Sequence, residues 1–295
     1  MKWEDLRRSN NIEDMRGSTR SSRFSGGSTN NMRFLVPVMK FLVGTKYGRI
    51  VLVIGVIAYF LGFNPLALLS LVDVPQRQEQ SLSTPSVKEN NTAEFVSVVL
   101  GQTEDVWHKL FAKEGMQYKE PKLVLFRGSV NSGCGYASKQ TGPFYCPADK
   151  KVYLDMSFFD ELKNRHNAPG DFAQAYVIAH EVGHHVQNLL GTLNKAHKAQ
   201  ASSSKKEANV IQVMVELQAD CYGGVWAHYL NNILDSGDIE EALGAASAIG
   251  DDTLQKQAQG YVVPDAFTHG SSKERVKWFS QGYKYGAIKA CQTGI

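Results

Sequence analysis

His180-Glu181-Val182-Gly183-His184 lies inside the apolar-periodic run AYVIAHEVGHHVQNLLG, from Ala175 to Gly191. On an α-helix, residues four apart lie one turn apart on the same face. His180 and His184 can therefore turn imidazole nitrogens onto a single Zn²⁺. Glu181 sits at one edge of that face, where it is not needed as a ligand; it is placed to take a proton from a water that the metal activates. Ala175, Ala179, Val182, Val186, Leu189 and Leu193 recur at three- and four-residue spacing and give the helix a buried side next to its histidine side. Asn167 to Asp171 (NAPGD) supply start signals, and Gly191 a stop.

A catalytic zinc takes three protein ligands and keeps a fourth position open. The extended pattern that would bring the third ligand from the same helix needs Gly and His where Gln187 and Leu190 stand, so that ligand comes from elsewhere. The candidate is on a later helix, in Glu216-Leu217-Gln218-Ala219-Asp220-Cys221-Tyr222-Gly223-Gly224. Glu216 and Asp220 are one turn apart. Gly223 and Gly224 continue that face and permit close approach to the metal helix, while Val210, Val213, Leu217, Cys221 and Val225 form the stripe that holds it there. Glu216 is assigned as the third ligand and Asp220 as the acceptor behind a ligand imidazole N–H. The plain alternative is a salt-bridged surface pair.

The rest of the chain sets the context. Its 295 residues suffice for one sizeable core, and 43% hydrophobic with 21% charged residues is ordinary for a folded protein. Net charge is only +3, but residues 1–49 hold ten Lys or Arg against four Asp or Glu, an excess of six that leaves the remainder at minus three. That asymmetry fits membrane orientation better than nucleic acid, and no nucleic-acid partner is expected. The first thirty or so residues are rich in Ser, Asn, Gly and charge, so residues 1–49 read as a basic, disordered, cytoplasmic tail. Residues 50–72 (IVLVIGVIAYFLGFNPLALLSLV) carry no charge over 23 positions, long enough for one transmembrane helix acting as an uncleaved signal anchor. Arg33, Lys40, Lys46 and Arg49 flank its N-terminal side, which predicts an N-terminus in the cytoplasm and everything after the anchor outside it. Residues 73–91 read as a linker, and 92–295 as the folded domain.

Within that domain a helical pattern near 95–115 precedes two strand-like segments, KLVLFRG and KVYLDMSFF, and the remainder is mostly helical. The expected class is α+β, a mostly helical domain with a small sheet beside the metal helix. VYLDMS is the candidate edge strand along which an extended peptide can pair, with an ordinary core strand as the alternative. Cys134 and Cys146 flank a Gly- and Ser-rich loop and form the expected disulfide; Cys221 and Cys291 are left either as a second pair or with Cys221 as a buried thiol.

HEVGHH (180–185), ELQADCYGGVWAH (216–228), CGYA (134–137), GPFYCPAD (142–149) and HGSSKERVKWF (269–279), with the basic tail and single anchor, resemble the bacterial neutral zinc metallopeptidase family, YpfJ-like proteins. The ExxAD element of 216–220 is also similar to that of the HtpX and prenyl-protein protease gluzincins. The resemblance implies a zincin-like domain at the bacterial inner membrane, one zinc on His180, His184 and Glu216, Glu181 as the base, and a peptide or protein substrate. His269 resembles the histidine of the His-Pro element, followed by Arg, that ends many gluzincin domains, with Gly270 standing where that element has Pro. In that role it helps the chemistry by donating to the oxyanion or orienting the site, with Arg275 pairing to Glu216 or Asp220; otherwise it is an ordinary helix-start residue. Two other functions use the same residues: a membrane-anchored scaffold whose zinc is structural, and a zinc amidase acting on cell-wall peptides.

Overall fold

Ser86 starts the first long helix. Its hydroxyl accepts from the Glu89 N–H while the Glu89 carboxylate accepts from the Ser86 N–H, a reciprocal cap that opens α1 (Val87–Lys113). The last five residues assigned to the linker, 87–91, are thus the first turns of this helix. The computed structural model describes residues 1–17 and 85–295. One face of α1 buries Val96, Val99, Leu100, Val106, Trp107, Leu110 and Phe111.

Two parallel strands follow, β2 (Lys122–Phe126) and β6 (Lys151–Asp155), with Leu123 opposite Val152 and Leu125 opposite Leu154. Between them in sequence lie an antiparallel hairpin, β3 (Ser129–Ser132) with β4 (Gly135–Ser138), and the short β5 (Phe144–Cys146), which pairs antiparallel to β6. Side chains alternate across a strand, and here both faces are covered. Leu123, Leu125, Val152 and Leu154 enter the main core with the helices. Val124, Phe126 and Tyr153 enter a smaller core with Val130 and Ala137 of the hairpin.

After α2 (Ser157–Asn164), the helical half is built from α3 (Asp171–Leu189), α4 (Thr192–Ala201), α5 (Lys205–His228), α6 (Asp238–Ala248), α7 (Asp251–Gln259) and α8 (Ser272–Tyr285). Trp107 packs edge-to-face on Tyr222, and Phe172 stacks on Trp226, so α1 and α3 are both seated on α5. The mostly helical α+β class with a small sheet is the one expected from the sequence. The edge is not. VYLDMS belongs to β6, which is covered on both sides; the free edge on that flank is β5, only three residues long and bounded by Gly142-Pro143 and Pro147.

A second correction concerns the N-terminus. Residues 1–16 are not a disordered tail: Ile12–Asp14 form β1, paired parallel to β2, and complete the sheet order β1-β2-β6-β5. Trp3 packs edge-to-face on Phe95 at 5.4 Å. Arg7 donates to the Gly101 carbonyl at 2.8 Å and to Glu104 at 2.8 Å, and Ser9 and Asn11 add further donors to that buried carboxylate. A Cβ on Gly101 would lie 2.8 Å from the Arg7 carbonyl oxygen, so the mid-helix glycine is where this segment crosses α1. The Met1 ammonium lies 3.0 Å from Asp171 and 3.3 Å from Asp238, and neutralises two members of the Asp171, Asp238 and Glu241 cluster. Such docking escapes a composition argument because it depends on strand pairing and charge complementarity rather than on apolar content.

The apolar run 50–72 lies outside the described residues; among the described residues no helix is long and apolar enough to cross a membrane. Residues 1–16 and 85–295 share one sheet and one core, so they lie on the same side of any membrane. An N-terminus in the cytoplasm with the domain outside it is incompatible with that sheet. Because all four cysteines are paired, single cysteines placed at the exposed Asn10 and Asn164 can be followed without background. Both should react with a membrane-impermeant maleimide under the same condition, either in intact cells or only after lysis; labelling of one with protection of the other would refute the shared side.

Candidate metal centre and its cavity

Two helices carry the site, and a glycine sets their distance. A Cβ on Gly183 would fall 2.9 Å from the Ala219 carbonyl oxygen, so the small residue inside the histidine motif lets α5 cross directly over α3. The glycines expected to do this act elsewhere. Gly223 has room for a side chain, with its nearest neighbour at 3.8 Å, while Gly224 and Gly282 let α5 and α8 close-pack: a Cβ on them would fall 2.0 Å from Phe279 O and 1.9 Å from Cys221 O.

The crossing brings the three assigned ligands together. His180 Nε2 is 3.2 Å and His184 Nε2 3.5 Å from Glu216 Oε2, and one ligand atom from each residue lies within 4.8 Å of the others. Asp220 stands behind His180, as assigned, with Oδ1 2.8 Å from Nδ1. It is fully buried and also accepts from Tyr176 Oη at 2.5 Å and from Arg275 Nε and Nη2 at 2.8 and 2.9 Å. Arg275 therefore pairs with Asp220, the second of its two expected partners. A carboxylate surrounded by donors accepts from Nδ1–H, so Nε2, which faces Glu216, is the nitrogen that a metal would take.

Electrostatics agree with a cation at this point. Burial opposes charge on His180, but Asp220 and Glu216 overcome it and raise the imidazole pKa to about 10. Burial would likewise raise Glu216, yet His184 and His180 hold it well below the usual carboxylate range. Two imidazoles and one carboxylate, converging with room for a further ligand, match the donor set of a catalytic zinc site.

A cavity of about 290 Å³ opens over these groups. Glu181 lines it beside the ligands, and its carboxylate has no hydrogen-bond partner among the described residues. Phe144 and Tyr145 of β5 form one wall, Leu193 and Ala196 of α4 another. β5 is held there by His185, the histidine next to the motif. Its Nε2 donates to the Lys119 carbonyl at 2.6 Å and its Nδ1 accepts from Tyr145 Oη at 3.0 Å. Burial keeps it neutral, with a pKa near 4. His197 also reaches the cavity rim, although it is off the ligand face. His228 instead bonds the Tyr283 carbonyl.

His269 lines the same cavity, with Nδ1 3.3 Å from Asp251 Oδ1. Asp251, at the start of α7, gathers this loop: its Oδ2 accepts the backbone N–H groups of Thr268, His269 and Gly270 at 2.7, 2.6 and 3.1 Å. The bond to Asp251 raises the His269 pKa against the effect of burial. Gly270, in place of the gluzincin proline, has φ +92°, which a proline ring cannot adopt. Asp251, Tyr176, His185 and Gln187 are the contributors that spacing did not reveal, since each acts through a partner distant in sequence. Cys134–Cys146 is a disulfide, and Cys221–Cys291 is a second one, which settles the alternative left open for Cys221.

The helix pair and its donor set define a buried His-His-Glu centre in which a zinc peptidase would hold its metal. The chain belongs to the family described as "Putative neutral zinc metallopeptidase", which matches residues 1–294 and so includes the docked N-terminal strand. The chain is 45% identical to the uncharacterized protein YpfJ of Escherichia coli K12 over 295 residues, covering 99% of this chain and 98% of that one. It is 39% identical to the uncharacterized protein Rv2575 of Mycobacterium tuberculosis H37Rv over 256 residues, 80% of this chain and 84% of the other. No solved structure matches it.

Removing one partner of a buried ion pair leaves the other charge uncompensated, at a cost of about 3–5 kcal/mol. Arg275→Met should therefore lower unfolding free energy in urea by about that amount, with Arg275→Lys losing less. Loss of under 1 kcal/mol in the Met variant, roughly the worth of an exposed pair, would show that Asp220 does not depend on Arg275.

Proposed function

We propose that this protein is a zinc-dependent endopeptidase with a zincin-like catalytic domain. The observation that carries this reading is the placement of Glu181 in the same cavity as the converging His180, His184 and Glu216, with no hydrogen-bond partner for its carboxylate among the described residues. A structural zinc site is closed by four protein ligands and has no use for a base at an open position.

When bound, zinc supplies Lewis-acid chemistry, bringing the pKa of water toward 7 and polarising the scissile carbonyl. His180, His184 and Glu216 hold it, and Asp220 with Arg275 keeps the Nδ1 proton of His180 in place so that Nε2 stays a ligand. Glu181 takes a proton from the attacking water and delivers it to the leaving amine, with no covalent intermediate. His269, oriented by Asp251, donates to the oxygen that gains charge. The free edge of β5 beside the cavity suits an extended peptide, which pairs with it through main-chain hydrogen bonds. This edge favours peptidase over amidase activity.

The two disulfides support an oxidising compartment as the place of work, and the uncharged run 50–72 supports attachment to a membrane, without a single net crossing, since the segments before and after it share one sheet. In a bacterial cell that reading puts the catalytic unit outside the cytoplasm, at the inner membrane.

Glu181→Gln keeps size but removes the base. The purified variant should bind about one zinc per chain, as a three-ligand site requires, and cleave a quenched-fluorescent peptide library about 10²- to 10⁴-fold more slowly. Glu216→Ala should lose both zinc and cleavage, and His269→Asn should lower kcat about 10²-fold with zinc unchanged. Loss of zinc in Glu181→Gln, or cleavage at the wild-type rate, would refute the assignment of Glu181.

A further inference from the structure

Among the described residues, no carboxylate stands behind His184 as Asp220 stands behind His180. Its Nδ1 lies 2.9 Å from Gln187 Oε1, one turn along the same helix. Gln187 is fully buried, in the position where the extended zinc motif would have glycine. An amide can present either its oxygen or its NH₂, and the tautomer of the facing imidazole depends on which. Here the choice is forced by an unambiguous acceptor. Gln187 Nε2 donates to the Val215 backbone carbonyl at 2.7 Å and to Gln218 Oε1 at 3.0 Å, which uses both of its protons. Its oxygen must then face His184, which donates from Nδ1–H and presents the Nε2 lone pair to Glu216 and the metal position.

The same logic extends one residue further. Gln218, also buried, donates through Nε2 to the Cys291 carbonyl at 2.9 Å, so its own oxygen is left for Gln187. That carbonyl belongs to the C-terminal segment, which the Cys221–Cys291 disulfide holds against α5 and which Thr293 fastens by donating to the Met214 carbonyl at 2.8 Å. A line of bonds of fixed polarity thus runs from a disulfide-held carbonyl to a ligand imidazole.

We propose that Gln187 is the positioning residue for His184, and that its amide is oriented, through Gln218, by the Cys291 carbonyl that the Cys221–Cys291 disulfide keeps in place. The inference rests on the zinc reading of His184. It makes the second disulfide a determinant of metal affinity as well as of stability: opening it frees the Cys291 carbonyl, lets both amides turn, and removes the acceptor from Nδ1–H.

The test uses the full chain and measures zinc affinity by competition with a chelator, in the wild type, Gln187→Met, Gln218→Met and the double variant Cys221→Ser/Cys291→Ser. Outer partners of zinc-bound histidines set affinity by about 10- to 100-fold. Gln187→Met should weaken binding by that factor, and Gln218→Met and the cysteine variant by smaller but measurable factors. In ¹⁵N-resolved spectra of zinc-loaded protein the His184 Nδ1–H proton should be visible in the wild type and lost to exchange with water in Gln187→Met, a readout that simple destabilisation of a folded variant does not move. Thermal unfolding of each zinc-free variant identifies any that fails to fold, in which case Gln218→Met carries the comparison. Affinity within twofold of wild type for Gln187→Met overturns the positioning role, and no change in the cysteine variant overturns the role of the disulfide. Wild type that binds zinc no better than His184→Ala would instead refute the metal reading itself.

Discussion

One buried carboxylate holds the helical half of this molecule together. Asp220, on α5, accepts from Tyr176 and His180 on α3 and from the Nε–Nη2 edge of the Arg275 guanidinium on α8. A lone charge with no exposure would be costly, and its cost is offset only when all three helices are in place. The network therefore selects one packing of α3, α5 and α8, and that packing is the one in which His180, His184 and Glu216 converge. Gly183 at the α3–α5 crossing and the Gly224–Gly282 pair at the α5–α8 crossing remove the steric objections. Structure and site are in this sense a single arrangement.

The sheet is coupled to the site through fewer contacts. β5 reaches the cavity because Tyr145 bonds His185, which bonds the carbonyl of Lys119 just before β2. The two adjacent histidines 184 and 185 thus face opposite tasks, one toward the metal position and one toward the wall where an extended substrate would lie. Cys146, at the end of the same strand, is fastened to Cys134 in the turn of the β3–β4 hairpin. A strand of three residues has little hold of its own, and these two attachments explain how it keeps its place.

Much of the centre is legible in the sequence. The four-residue spacing of His180 with His184, and of Glu216 with Asp220, is a statement about one helix face, and helix faces are written in local sequence. Arg275 was legible as a partner but not as to which acid it chose. What stayed hidden was set by contacts between distant segments. Gly223 and Gly224 looked like the contact with α3, whereas Gly183 makes it, because a glycine's role is decided by what crosses it. Gln187 was visible only as a departure from a motif. β5 is too short to show a period, and β1 lies in a polar segment whose stabilisation is paired charge, so neither alternation nor apolar content marked them.

The N-terminal strand also bears on how the chain comes to its native state. Asn11 and Glu120 touch across a separation of 109 residues, and the entropy of closing so long a loop must be met before β1 gains its partner. Pairing of β1 is therefore expected to follow the more local contacts of the domain. Until it arrives, the outer edge of β2 shows a row of unpaired N–H and C=O groups beside Leu123 and Leu125, the kind of open edge along which a second chain can pair. A segment with the composition of a solvated tail thus covers, once paired, an edge along which a second chain could otherwise add.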